Sequence, residues 1–489
     1  MKELKQFAVN TISYGLGRGI RKFIGIFLMP FYTRALTPSD YGILDTLVVG
    51  IALIQVFFNV GADSASARYF YMAKTEEEKG KILFNTLVFR LIVIIPSLII
   101  AIFSAQISEA LFGSPKYQWV IFLSCMILPL NLFFSEQEHI YRYYFEPWKF
   151  NIVNITKIIS HLCLGISLVV IYKKGILGAQ IATLSSSILL FFVSFLLFTK
   201  KRYTYRFSWY WAKKMLKYGM PLVPAGIAAW FYISSDRYFL LHYQNTTEIG
   251  LYAVGNKLSQ ALQILAISVQ MSWGPILISV YERDKTEEKL ETKNLYSQGW
   301  RLFLVVSLTL SLFLSIFGIE LAKILTRPAY YMCVLAIPFL TLSKVCSQSV
   351  QMTGIGINLA EKTKHFAWIL PLVAGVNVGL NFFFVPKFSF VGAAFTTLVA
   401  SLVYLLFSYN LSQKYFPVDT KIRNVLLYSS FIATLAIFFP FAQVKYNLPI
   451  SFPLKAAVFF IALTLPFLTG MISTSIPQKI YLSLKEKIL

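Results

Sequence analysis

The sequence predicts an all-α integral membrane protein of about fourteen transmembrane helices, built as two six-helix lobes in parallel repeat around a central cavity, with two further helices at the C-terminus. Three observations carry this. Of 489 residues, 57% are hydrophobic and only 14% charged, too little charge to cover a soluble protein of this size. The apolar residues fall in blocks of about twenty, the length that crosses bilayer hydrocarbon, and without water there the backbone must bond to itself as helix. Short motifs of the first half also recur, in order, in the second.

Taken in order, the blocks predict helices over 11–34, 41–63, 80–106, 117–136, 149–172, 176–199 and 215–241. The remainder follow over 249–274, 296–320, 329–352, 364–385, 389–411, 422–441 and 452–475. The net charge of +23 arises because Lys and Arg concentrate on one side of these blocks, so it argues for topology and not for a nucleic-acid partner. Arg68 to Lys81, Lys200 to Lys217, Arg283 to Lys293, Lys414 to Arg423 and the tail around Lys485 form the cation-rich side. That side is read as cytoplasmic, with both termini in it. Arg18, Arg21 and Lys22 interrupt the first block, which a cleavable signal core would not tolerate.

The repeat defines the expected domains. Tyr14-Gly15-Leu16 recurs as Tyr218-Gly219-Met220, and Asp40-Tyr41-Gly42 is echoed by Glu248-Ile249-Gly250. Gly178-Ala179 with Thr183-Leu184 is echoed by Gly392-Ala393 with Thr397-Leu398. An even number of spans per repeat leaves both halves in the same orientation. The expected bodies are 1–208, 209–414, and a pair of added helices with a cytoplasmic tail in 415–489.

Polar residues at membrane depth point to a working site, because charge in lipid is costly. A first helix beginning at Phe23 would be too short to cross, so it must begin near Thr11, placing Arg18, Arg21 and Lys22 inside the span and on one face. They either snorkel to the interface or line a cation-rich cavity, and the cavity is the reading taken. Lys157 lies on the fifth helix with Asn154 and His161, and Arg90 within the third. Asn256, Gln260 and Gln263 form an amide stripe on the eighth, with Lys257 on its shoulder. Lys344 shares a face of the tenth with Gln348 and Gln351, and Asn377 and Asn381 pair on the eleventh. Each of these alone could be interhelical glue; together they describe a wet cavity. Cations outnumber Asp45, Asp236, Glu136 and Glu138 there, which suits an anionic, phosphate-bearing substrate and disfavours organic cations. Asp236 and Arg237 read as an internal ion pair, or Asp236 as an ion-coupling carboxylate.

Other chemistries find no support. A phosphate-cradling Gly-rich loop is absent, the four histidines show no metal-ligand spacing, and no carboxylate pair sits on a large outer loop, so no cofactor and no enzyme activity is expected. Cys125, Cys163, Cys333 and Cys346 lie in apolar blocks and are read as small buried side chains. Glu76-Glu77-Glu78 and Glu287-Glu288 read as solvated faces.

Several short motifs carry a family resemblance. Tyr14-Gly15, Leu36-Thr37-Pro38-Ser39-Asp40-Tyr41-Gly42, Gly61 and Ala67-Arg68-Tyr69 resemble the N-terminal signature of bacterial polysaccharide exporters, the Wzx-like oligosaccharide flippases. Leu216 to Leu222, Ser235-Asp236-Arg237 and Glu248 to Tyr252 are similar to the start of their second half. The resemblance implies a fold shared with multidrug and toxic compound extrusion transporters and lipid II flippases. It implies undecaprenyl-diphosphate-linked oligosaccharide as cargo, membrane lipids and a polysaccharide polymerase with other assembly proteins as partners, and the bacterial inner membrane as location. Arg18 matches in kind the cavity arginines of lipid II flippases. An ion-coupled multidrug or metabolite antiporter of the same fold is the alternative, and would need an acidic cavity.

Overall fold

A computed structural model describes residues 25–264, 291–360, 364–446 and 448–471, with Lys362 and single positions between 266 and 284. Arg18, Arg21 and Lys22 lie outside the described residues. Among those described there is no strand. Among the described residues, eight helices are long and apolar enough to cross a membrane, or nine when the bent pair Pro328–Leu335 and Ile337–Leu359 counts as one span.

The chain forms two compact units. One runs up to Ala253 and takes in Leu370–Ala393; the other comprises Val254–Ile369 and the chain from Ala394 onward.

In the first unit, helix α1 covers 25–35 and α2 covers Pro38–Asn59. The start of α2 is fixed locally. Thr37 accepts from the Asp40 N–H at 3.1 Å while the Asp40 carboxylate accepts from the Thr37 N–H at 3.1 Å, with Pro38 in the first turn. This reciprocal cap satisfies donors that the helix itself cannot. Gly61, at φ 65°, turns the chain into α3 (Ala62–Met72). Then follow α4 (Glu76–Ile92), capped by Thr75 over three glutamates, α5 (Ile94–Ile102) and α6 (Ser104–Phe112). The long α7 (Gln118–Tyr143), α8 (Pro147–Gly165) and α9 (Gly175–Ser194) complete this layer. Leu36, Ile43 and Leu47 pack on Val120, Ile121 and Cys125 and on Ile176 and Ala179, so α2, α7 and α9 share one core.

The predicted seventh helix, 215–241, is instead three pieces: α10 (Trp209–Gly219), α11 (Val223–Ser234) and α12 (Asp236–Tyr243). Pro221 and Pro224 remove backbone donors at the first break. Next comes α13 (Thr246–Ser259). Where α2 and α13 cross, glycine meets backbone. A Cβ on Gly42 would lie 1.9 Å from the Thr246 carbonyl oxygen, and one on Gly250 1.9 Å from that of Pro38. The hydroxyls of Ser39 and Thr246 hydrogen-bond beside the crossing at 2.6 Å. Gly42 and Gly250 are the repeat mates of the sequence, and small residues are what permit helices in lipid this approach.

The second unit holds α14 (Glu291–Ile316), α15 (Gly318–Leu325) and α16 (Ile337–Thr353). It also holds α18 (Ile422–Pro440) and α19 (Phe452–Leu468). Between them in sequence, α17 (Lys364–Tyr415) runs 52 residues, the length of about two bilayer crossings, and Ser389 at φ 52°, ψ −137° breaks it. Hydroxyl pairs tie the helices together: Ser311 to Thr341 at 2.7 Å and Ser343 to Ser401 at 2.8 Å. Lys455 of α19, fully buried, donates to both carboxylate oxygens of Glu320 (2.7 and 2.9 Å) and to Gln443 (2.6 Å).

Cys125, Cys333 and Cys346 are buried as expected, but Cys163 is exposed. It continues the stripe of Ile155 and Ile159, also exposed and four residues apart on α8, which is the pattern of a face turned to lipid.

Candidate functional site

In the first unit, α2, α3, α4 and α7 bring a charged cluster together. Arg90 is 2% exposed, and its guanidinium donates to Asn59 and Asp63. Asn59 donates in turn to Asp63 at 3.0 Å, the His139 ring lies 3.6 Å from that carboxylate, and the Tyr143 hydroxyl donates to the Asp63 carbonyl at 3.3 Å. The turn at Val60 and Gly61 aims Asn59 and Asp63 at one guanidinium. Burial alone would raise the Asp63 carboxyl; Arg90, His139 and the donated hydrogen bonds outweigh it and hold it below the usual carboxylate range. Further along α7, Gln137 donates to the Tyr203 hydroxyl at 2.9 Å, which donates to Glu136 at 3.2 Å, and Thr199 donates to Gln137. Burial, helped by Glu136, pushes the Tyr203 phenol well up.

The predicted cations of this unit therefore sit differently. Arg90 has its charge compensated within the cluster. Lys157 is half-buried on α8, its ammonium 4.0 Å above the centre of the Phe134 ring.

A second cluster surrounds Asp236 at the start of α12. Its fully buried carboxylate accepts from the Tyr252 hydroxyl at 2.5 Å and from Asn381 at 3.0 Å. Asn381 donates to Asn377 at 3.2 Å, and the Ser235 hydroxyl donates to the same oxygen at 3.0 Å. Asp236 and Arg237, expected as an internal ion pair, are neighbours in charge, and each also has partners on other helices. Neighbouring residues on a helix do not face each other, and Arg237 donates to Asp45 of α2 at 3.1 Å, with its guanidinium 4.7 Å over the Tyr252 ring.

In the second unit, Asn256, Lys257, Gln260 and Gln263 are all half-buried. The Gln260 N–H is shared by the carbonyls of Asn256 and Lys257, both at 3.1 Å, and the Gln263 N–H reaches that of Gln260 at 2.9 Å. The helix tightens where the amide stripe lies. At its start, a Cβ on Gly255 would lie 3.0 Å from the Cys333 carbonyl oxygen. Lys344 is half-buried on α16. Sequence reasoning missed Asp63, His139 and Asn59; a lone carboxylate among small residues, Ala62-Asp63-Ser64-Ala65, was the signal available. Among the described residues no group of three or more His, Cys, Asp or Glu is placed to hold a metal ion.

Comparison with known proteins agrees with this architecture. The polysaccharide biosynthesis protein family matches residues 7–281. A protein of the Lsg locus of Haemophilus influenzae is 25% identical over 303 residues, 60% of this chain and 70% of that protein. An uncharacterized membrane protein of the same organism is 23% identical over 280 residues, 56% of this chain and 66% of that one. Among solved structures, the lipid II flippase MurJ in an inward closed conformation matches with a TM-score of 0.71 at 16% identity, covering 96% of this chain and all of that one. An inward-facing multidrug resistance MATE family transporter of the MOP superfamily gives 0.68 at 14% identity, covering 80% and 94%. At these identities the structural likeness is one of fold. With more than half of its length matched by the family, this multi-pass helical membrane protein belongs to the polysaccharide biosynthesis protein family.

Proposed function

We propose that the protein is a flippase, not an enzyme, that carries undecaprenyl-diphosphate-linked oligosaccharide across the bacterial inner membrane for surface polysaccharide assembly. The observation that carries this reading is the joint one: a polysaccharide biosynthesis family match on a chain with the fold of a lipid II flippase. In this reading Arg18, Arg21 and Lys22 hold the diphosphate, with Lys157, Lys257 and Lys344 extending the attraction. Arg90, engaged by Asp63, orients the elements around it. The amides Asn256, Gln260 and Gln263 meet sugar hydroxyls. The repeats 1–208 and 209–414 are the bodies that alternate access, 415–489 is the appended helix pair, and both termini are cytoplasmic. Asp236, buried against Tyr252 and Asn381, is the candidate for coupling to an ion gradient.

The test replaces Arg18 and Lys22 by Ala in the native host. The variant should reach the membrane in normal amount yet lose surface polysaccharide and accumulate lipid-linked oligosaccharide, identified by mass spectrometry. Normal polysaccharide in that strain refutes the assignment. The alternative, an ion-coupled antiporter for drugs or metabolites, draws on the likeness to MATE transporters. It predicts instead that deletion raises drug sensitivity and leaves the polysaccharide unchanged.

A further inference from the structure

The stretch joining α9 to α11 carries seven Lys and Arg and no Asp or Glu between Lys200 and Lys217. One of the seven is committed inside the fold: Arg202 pairs with Glu146 at 2.7 Å and stacks 3.8 Å over the Tyr144 ring. Lys201, Arg206, Lys213 and Lys217 are exposed. Interleaved with them are Tyr205, Phe207, Trp209 and Tyr210, whose exposures are 53, 40, 73 and 60%. Four aromatic rings turned outward together would be costly in water, where each offers a large apolar area.

The same segment is held rigid from behind. Trp211 and Met215 of α10 pack on Ala65 of α3 and Ile82 of α4, with Ala212 fully buried on the same face. Asn85 of α4 clamps the entry to α10 from both sides, donating to the Ser208 carbonyl at 2.8 Å and accepting from the Ser208 N–H at 3.0 Å. The helix therefore cannot roll its rings inward. It follows directly on the span Gly175–Arg202, so the patch begins where the chain leaves the hydrocarbon. Rings that tolerate a half-apolar setting, alternated with cations, match the chemistry of the headgroup layer.

We propose that α10 and the strap before it, Lys201 to Lys217, form a fixed docking surface for anionic phospholipid headgroups. The rings seat between headgroups while Lys201, Lys213 and Lys217 meet the lipid phosphates. Charge complementarity and the position of the patch at a span's end point to this occupant, whichever cargo the protein moves.

The test uses the full chain in mixed micelles. Trp209 emission, isolated by difference from Trp209→Phe, is titrated with brominated phosphatidylglycerol and with brominated phosphatidylcholine. Quenching should occur at lower mole fraction of the anionic lipid. A cation near an anionic surface strengthens association about fivefold, so K201Q/K213Q/K217Q should reduce that preference at least about tenfold, while K201R/K213R/K217R retains it. Equal quenching by the two lipids in the native chain, or an unchanged preference in the Gln variant, overturns the proposal. Relief of quenching by millimolar inorganic phosphate overturns it too, since it marks a site for a soluble anion.

Discussion

Replacing Gly42 by Ala tests whether the α2–α13 crossing is as close as described. The added carbon would lie 1.9 Å from the Thr246 carbonyl oxygen and 2.9 Å from the Gly250 nitrogen, both backbone atoms with no rotamer to yield. Ordinary contact needs about 3.5 Å, so the helices must part by about 1.5 Å. That movement separates Ser39 from Thr246, now 2.6 Å apart. Overpacking of this kind costs about 1–3 kcal/mol and the lost hydrogen bond about 1 kcal/mol more, so destabilisation of about 3 kcal/mol is expected. In a thermal melt of the purified protein, followed by intrinsic fluorescence, Gly42→Ala should lower the Tm by about 3 °C. Gly379→Ala is the control, because a Cβ there meets no atom within 4 Å. A Gly42→Ala protein that melts within about 1 °C of wild type refutes the reasoning.

Two further outcomes follow from the buried charges. Asp63→Asn leaves Arg90 buried with its countercharge removed and should destabilise by about 3 kcal/mol near neutral pH. Because the native Asp63 carboxyl is held below its unfolded value, its contribution is present at neutral pH and drains away as pH falls below about 4. Melts stepped downward in pH should therefore show wild type and variant converging, and a constant gap would contradict the cluster. At the other site, Glu320→Ala should destabilise by about 3 kcal/mol because Lys455 stays buried, while Glu320→Leu with Lys455→Met should recover most of that loss; additive effects in the double-mutant cycle would deny the pairing.

The contrast between what was readable in the sequence and what was not follows the range of each interaction. Helix α2 was legible because its signals are local: Thr37, Pro38 and Asp40 lie within one turn, and the apolar run behind them has the length of a span. The buried cation Arg90 was legible as an anomaly, but its partner was not. Asp63 stands 27 residues away, at a helix end beside a connection read as solvated, and only the turn at Gly61 brings the two together. Arg237 was legible beside Asp236, but its hydrogen bond to Asp45, 192 positions earlier, was not, because no local signal joins them. Lys455 drew no notice because a single Lys near the end of an apolar block looks like an interfacial residue, and its burial depends on α15 and on Gln443. The amide stripe at Asn256, Gln260 and Gln263 is legible from spacing alone; its residues are half-buried.

The lone exposed thiol on α8 has a practical corollary. Cys163 shares its outward stripe with isoleucines, while the sulfurs of Cys125, Cys333 and Cys346 are enclosed by neighbouring helices. A bilayer-soluble probe should therefore attach at one place in the unmodified chain. Spectroscopists gain a single exposed reporter on a membrane-spanning helix, without first having to delete the other three sulfhydryls.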